Sequence, residues 1–341
     1  WCMLHNFGGR SGLYGELDRV NNGPAAAYKQ AGKQMLGVGL TMEAIDTNYF
    51  QYEFMLEFVW RPAPVDDIPS WLARYAARRY GSDDAHVSSA MALLADSVLN
   101  CSTGQSGPSG SLVVGRPGFN LTQVSCCDKM ALYYDPRAVE EALRLYLDAS
   151  ATVQQSPLYR YDLTELAAQV LSNKMLALYT QLQYYYQTAD LSGTIATGVA
   201  MRAVVGDMEA LLSSDAQHLV GTWLAAAGAW GNGTDADAAL LDFNARNQIT
   251  LWGPGDSKLI EYAYKLWGGI TGDLYLSRWT LFTNMVSDAV ANGRPFDTGA
   301  WNSKVTAMDV AWGQDRGKGY PTTPSGNTLL IAQRIYSTWC T

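Results

Sequence analysis

Two apolar runs near the start of the chain end in polar residues, and a helical pattern follows each. Trp1-Cys2-Met3-Leu4-His5-Asn6-Phe7-Gly8-Gly9 predicts a strand over 1–7 and a glycine-rich loop. A helix around 13–20 comes next, broken by Asn21-Asn22-Gly23-Pro24. Met35-Leu36-Gly37-Val38-Gly39-Leu40-Thr41-Met42 predicts a second strand over 35–41 that runs into Glu43, with its helix over 48–59. Arg61-Pro62-Ala63-Pro64 stops that helix and marks a domain boundary. Beyond it the chain reads as almost all helix. Ser82 caps a run with Asp83 and Asp84 in its first turn, and Val87, Met91, Leu94 and Val98 share one face. Asp135-Pro136 opens another helix with Val139, Leu143 and Tyr146 inward. Further helices are predicted over 161–188, 194–212, 215–229, 235–247, 257–267, 274–291 and 329–339, and residues 101–127 form one long irregular stretch. No fixed-period repeat appears, so the helices read as a bundle and not a solenoid.

Composition narrows the function. The chain has 341 residues, 48% of them apolar and 16% charged, which excludes disorder. Its net charge is −8 and no basic run exceeds Arg78-Arg79, which argues against nucleic acid and anionic membrane surfaces as partners. No apolar stretch reaches the roughly 18 residues that a spanning helix needs. The sequence has no initiator Met and opens inside a strand, so a cut within a longer protein is expected. Cys101 and Cys126-Cys127 bracket a Ser/Gly/Pro loop, as a loop-closing disulfide would. Acceptor sequons stand at Asn100, Asn120 and Asn232. Together they point to a lysosomal or secreted glycoprotein.

Glu43 is the first candidate for chemistry. A carboxylate at the C-terminal end of a buried strand sits where β/α barrels place catalytic groups. It also fits a helix-start carboxylate stabilised by the macrodipole. Gly37 and Gly39 lack the rest of a nucleotide-binding fingerprint. His5, His86 and His218 are isolated, so no metal and no cofactor is expected. His5 fits a structural histidine as well as a pocket residue. Trp252, in Thr250-Leu251-Trp252-Gly253-Pro254, lies on a turn where an indole can stack on a sugar ring or pack into the core. Leu259, Tyr262 and Lys265 follow on one face of the predicted 257–267 helix. Asp66-Asp67 and Asp83-Asp84 read as solvated helix starts, because consecutive side chains diverge.

These segments taken in order resemble a known family. Trp1 to Gly9, Gly37-x-Gly39-x-x-x-Glu43, Ala76-Ala77-Arg78-Arg79-Tyr80-Gly81, Arg160-Tyr161-Asp162-Leu163, Leu251-Trp252-Gly253-Pro254 and Glu261-Tyr262-Ala263 look like the lysosomal alpha-N-acetylglucosaminidases, glycoside hydrolase family 89. The resemblance implies a mainly α chain. Residues 1–62 would be the last β/α units of a (β/α)8 catalytic barrel, and 63–341 an all-α C-terminal domain. It implies removal of terminal non-reducing α-linked N-acetylglucosamine, with retention, from heparan sulfate or a related plant, algal or microbial glycan. Glu43 aligns with the nucleophile. The acid/base aligns with an Asn-Glu pair on an earlier strand, upstream of Trp1, so the isolated chain is expected to be inactive and to pack against the rest of its own barrel. Trp252, Leu259 and Tyr262 align with residues over the sugar pocket, and Asn6 and His5 with its walls. The family's glycine after the nucleophile is Ala44 here. A non-catalytic helical binding or scaffold module that keeps a barrel remnant is the competing reading, and self-association stays open.

Overall fold

The computed structural model describes every residue except Ile45, Pro62, Ser106, Asn120, Cys126, Cys127, Asn232 and Thr341. Two short parallel strands open the chain, β1 (Cys2–Met3) and β2 (Gly39–Leu40), with Cys2 opposite Gly39 and Met3 opposite Leu40. Bonds from Gly39 N to Trp1 O and from Thr41 N to Met3 O, both 2.9 Å, extend the ladder at each end. The strands are shorter than the apolar runs that predict them. Among the described residues each strand pairs only with the other, and Leu36 is 95% exposed.

Between them runs α1 (Leu17–Ala31), which passes straight through the predicted break at Asn21-Asn22-Gly23-Pro24. A proline inside a helix costs about 3 kcal/mol, and here tertiary contacts offset it. Pro24 is buried, Asn21 exchanges two 2.8 Å hydrogen bonds with the Val65 backbone, and Gly23 leaves room for the Trp1 indole. After β2 comes α2 (Tyr49–Leu56), extended by a 3-10 turn over Glu57–Trp60.

The rest is helical. α3 (Ile68–Tyr80), α4 (Ala85–Ala95), α5 (Pro136–Leu147), α6 (Ala151–Gln154), α7 (Pro157–Gln187) and α8 (Leu191–Leu212) come first. α9 (Val220–Gly228), α10 (Asp235–Gln248), α11 (Leu276–Ala291), α12 (Thr298–Gln314) and α13 (Thr328–Trp339) follow. The 31-residue α7, roughly 46 Å long, is the bundle's axis and packs against α3, α5, α8, α11 and α13. The caps carry the polar signals that the sequence shows. Asp67 accepts from Ser70 N and Asp135 from Arg137 N, whereas the cap of α4 is Asp84 and not Ser82. α6 and α12 have no counterpart among the predicted helices, and α3 is foreseen only as a helix start at Asp66-Asp67.

Two further expectations fail. Residues 257–267 form no helix but a series of turns, in which Glu261 takes a left-handed φ of 60° that ends any regular progression. Cys101 is a free, buried thiol facing Thr103 and the Gln105 carbonyl. Cys126, Cys127 and the sequon residues Asn120 and Asn232 lie outside the described residues. At the third sequon, Asn100 pairs its carboxamide with both the backbone and the carboxylate of Asp18. Among the described residues no helix is long and apolar enough to cross a membrane.

Candidate functional site

Glu43 leaves β2 just before a loop that is pinned from below. The Ala44 carbonyl accepts from Asn6 Nδ2 at 2.9 Å and from the Tyr52 hydroxyl at 3.0 Å, and Asn6 also donates to that hydroxyl. Asn6 thus holds the loop backbone instead of presenting its amide to solvent. The Glu43 side chain is exposed, yet its carboxylate is directed by two donors. Gly8 N donates to Oε2 at 2.6 Å, and the Tyr262 hydroxyl lies 2.9 Å from both oxygens. One donor comes from the loop after β1 and the other from the turns between α10 and α11. The Tyr262 phenol is held above its usual range, first by burial and then by its bond to Glu43.

Gly8 is required where it stands. Its φ is +68°, and a Cβ there would lie 2.2 Å from the Tyr262 carbonyl oxygen. Lys265 locks the same loop. Its Nζ donates to Gly8 O at 3.0 Å and more closely to Gly9 O. Burial pulls its pKa down to about 8, with the Asp46 charge acting the other way.

Ala44 is free of the left-handed conformation that would penalise a side chain, and its methyl faces Gly9, where a Cβ would come within 2.3 Å. The methyl therefore fits because position 9 has none. Trp252 stands 5.0 Å, centroid to centroid, from the Tyr262 ring. Leu259 belongs to the same turns, where its carbonyl accepts from Tyr262 N at 3.0 Å and its side chain stays 39% exposed. Leu259, Tyr262 and Lys265 do not share a helix face: the first two belong to one turn and Lys265 is buried beneath the loop after β1.

His5 departs from the pocket-wall expectation. It is 2% exposed, packed between Tyr14 and Tyr52, and burial lowers its pKa to about 4, so it is a neutral core residue.

Above Glu43 opens a cleft of about 410 Å³ whose walls include Gly8, Asp46, Gln217, Trp223 and Lys265. The sequence singles out Lys265 only for a helix face and does not mark Asp46 or Gln217. Gly8 and Gly9 were visible only as loop glycines, and Trp223 only as one of many helical tryptophans. Among the described residues no group of three His, Cys, Asp or Glu could hold a metal. The arrangement is a directed carboxylate with a phenol on it, an indole beside that phenol and a cleft at the carboxylate. Such a set suits attack on a sugar ring.

Comparison with known proteins agrees with that class. A family 89 glycoside hydrolase from Clostridium perfringens, solved in complex with PUGNAc, superposes with a TM-score of 0.93 over 99% of this chain and 39% of its own, at 25% identity. The same figures hold for a form of the Clostridium perfringens enzyme with two Glu-to-Gln substitutions, in complex with its substrate GlcNAc-alpha-1,4-galactose. The human alpha-N-acetylglucosaminidase is 35% identical over 339 residues, 98% of this chain. The chain spans 44% of the human protein's length. The alpha-N-acetylglucosaminidase tim-barrel domain matches residues 1–62 and the alpha-N-acetylglucosaminidase C-terminal domain residues 71–338. The chain belongs to the alpha-N-acetylglucosaminidase family.

Proposed function

We propose that this chain is the C-terminal part of a retaining exo-glycosidase that removes terminal α-linked N-acetylglucosamine, with Glu43 as nucleophile. The observation that carries the reading is the Glu43 carboxylate itself, held by Gly8 N and the Tyr262 hydroxyl at the mouth of a cleft. Two donors fix its direction, as a nucleophile requires. In the first step a Glu43 oxygen attacks the anomeric carbon from the β face. The bond to the leaving oxygen breaks, and an acid upstream of this chain gives that oxygen a proton. In the second, the same group takes a proton from water, which displaces Glu43 and restores the α configuration. Trp252 offers its ring to the sugar, and Leu259 the rim of the pocket.

A heparan-sulfate-type glycan or a related one is the substrate class, and a lysosomal or secreted protein the setting. The isolated chain, without the proton donor, is inactive. The full-length protein should release p-nitrophenol from p-nitrophenyl α-N-acetylglucosaminide, with the α anomer seen first by NMR. A β product, or no turnover, would refute the reading.

A further inference from the structure

Tyr262 reaches Glu43 from a segment with no regular structure, and two non-glycine residues there are left-handed, Trp252 (φ 54°) and Glu261 (φ 60°). A backbone of this kind persists only where its surroundings impose it. At Glu261 the surroundings are charged. Its carboxylate is fully buried and lies 2.7 Å from Arg278 Nη2 in α11. Arg278 Nε donates to Asp309 in α12 at 2.7 Å, and its Nη1 donates to the Val114 carbonyl at 2.8 Å. The other Asp309 oxygen accepts from Arg116 Nε at 2.5 Å. Glu261 N donates to Thr250 O at 2.7 Å, and Trp252 N to Asn247 O at 2.7 Å, which closes the turns onto the end of α10.

The Glu261–Arg278 contact is close but poorly directed, and neither Glu261 oxygen gains a well-formed hydrogen bond. A buried ion pair gives little stability over an apolar pair of the same volume, so stability alone does not explain this one. Its effect is geometric. Glu261 is the residue before Tyr262, and anchoring its side chain to Arg278 fixes the peptide that aims the phenol.

We propose that Glu261 is a positioning residue: its pairing with Arg278 holds the left-handed turn that keeps the Tyr262 hydroxyl on Glu43 and the Trp252 ring beside it. The inference rests on Glu43 being the nucleophile. Its mark is an effect on kcat that passes through Tyr262.

The experiment compares Glu261→Gln, Tyr262→Phe and the double variant in the full-length protein, with p-nitrophenyl α-N-acetylglucosaminide as substrate. Gln keeps the shape and removes the charge. We expect Glu261→Gln to lower kcat about tenfold, with KM nearly unchanged, and to cost little more once Tyr262 is already Phe. Arg278→Lys replaces it if Glu261→Gln does not fold, with the same expected pattern. An active wild type with an unchanged kcat, or with losses that multiply in the double variant, overturns the inference alone. An inactive wild type, or an active Glu43→Ala, overturns the catalytic reading and this inference with it.

Discussion

Gly8→Ala probes the joint between the two halves of the site. Gly8 sits at φ +68°, where an L side chain costs on the order of 1–2 kcal/mol. Its new methyl would also lie 2.2 Å from the Tyr262 carbonyl oxygen and 2.9 Å from Ala263 Cα. Ordinary contact begins near 3.4 Å. The carbonyl must therefore withdraw by about 1.2 Å, the gap between 2.2 and 3.4 Å, at an overpacking cost of roughly 1–3 kcal/mol. The Tyr262 hydroxyl is only 2.9 Å from Glu43, so that motion takes it out of hydrogen-bond range or twists the carboxylate. A misplacement of about 1 Å can cost 10²-fold in rate. Gly104→Ala is the control, since Gly104 is also left-handed (φ +74°) but has nothing within 4 Å of the added methyl. Thermal melts and kcat on the full-length protein separate the two. Gly8→Ala should lose several degrees in Tm and about a hundredfold in kcat, whereas Gly104→Ala should lose stability alone. If Gly8→Ala keeps its kcat per folded molecule, Gly8 does not link Glu43 to the Tyr262 turn.

The remaining expectations are briefer. The purified 341-residue chain should not turn over p-nitrophenyl α-N-acetylglucosaminide, and measurable hydrolysis would show that its proton donor lies within it. Trp252→Ala should lower kcat/KM about tenfold or more while moving Tm little, because the indole touches the Tyr262 ring from a partly open turn; a large Tm loss would mark it as core. His218 is clasped by Asp215 at 2.9 Å and Glu165 at 2.6 Å. Burial alone would lower its pKa, but the two carboxylates outweigh it and lift the value to about 9. A raised folded pKa stabilises fully below the unfolded value near 6.5 and is lost as pH rises toward 9, about 3 kcal/mol in all. Urea midpoints at pH 6 and pH 9 should therefore differ more in the wild type than in His218→Gln, and equal differences would contradict the clasp.

Much of the fold could be read from the sequence because its signals are local. Asp135-Pro136 caps α5 as its residue types require, and the apolar period of α7 follows from its own side chains. The failures arise where distant residues decide. α1 runs through Pro24 where Asn21 bonds the Val65 backbone and Gly23 admits the Trp1 indole. Residues 257–267 carry a helical spacing, yet they form turns in which Glu261 meets the buried Arg278 of α11, itself held by Asp309 of α12. Glu43 was legible as a carboxylate at a strand end. Its hydrogen bonds were not, since one comes from the N–H of a glycine and the other from Tyr262, 219 residues away, which the resemblance places only over the pocket. His5 reads as polar but is buried between two tyrosines, a placement that no spacing rule gives.

The most direct test of the central claim is azide rescue of Glu43→Ala in the full-length protein, with an activated aryl α-N-acetylglucosaminide as substrate. Removing the nucleophile should abolish turnover. Azide should restore part of it by taking the vacated place on the β face, and the product should be the β-glycosyl azide. A wild-type rate without azide, or an α-glycosyl azide, would show that Glu43 is not the nucleophile.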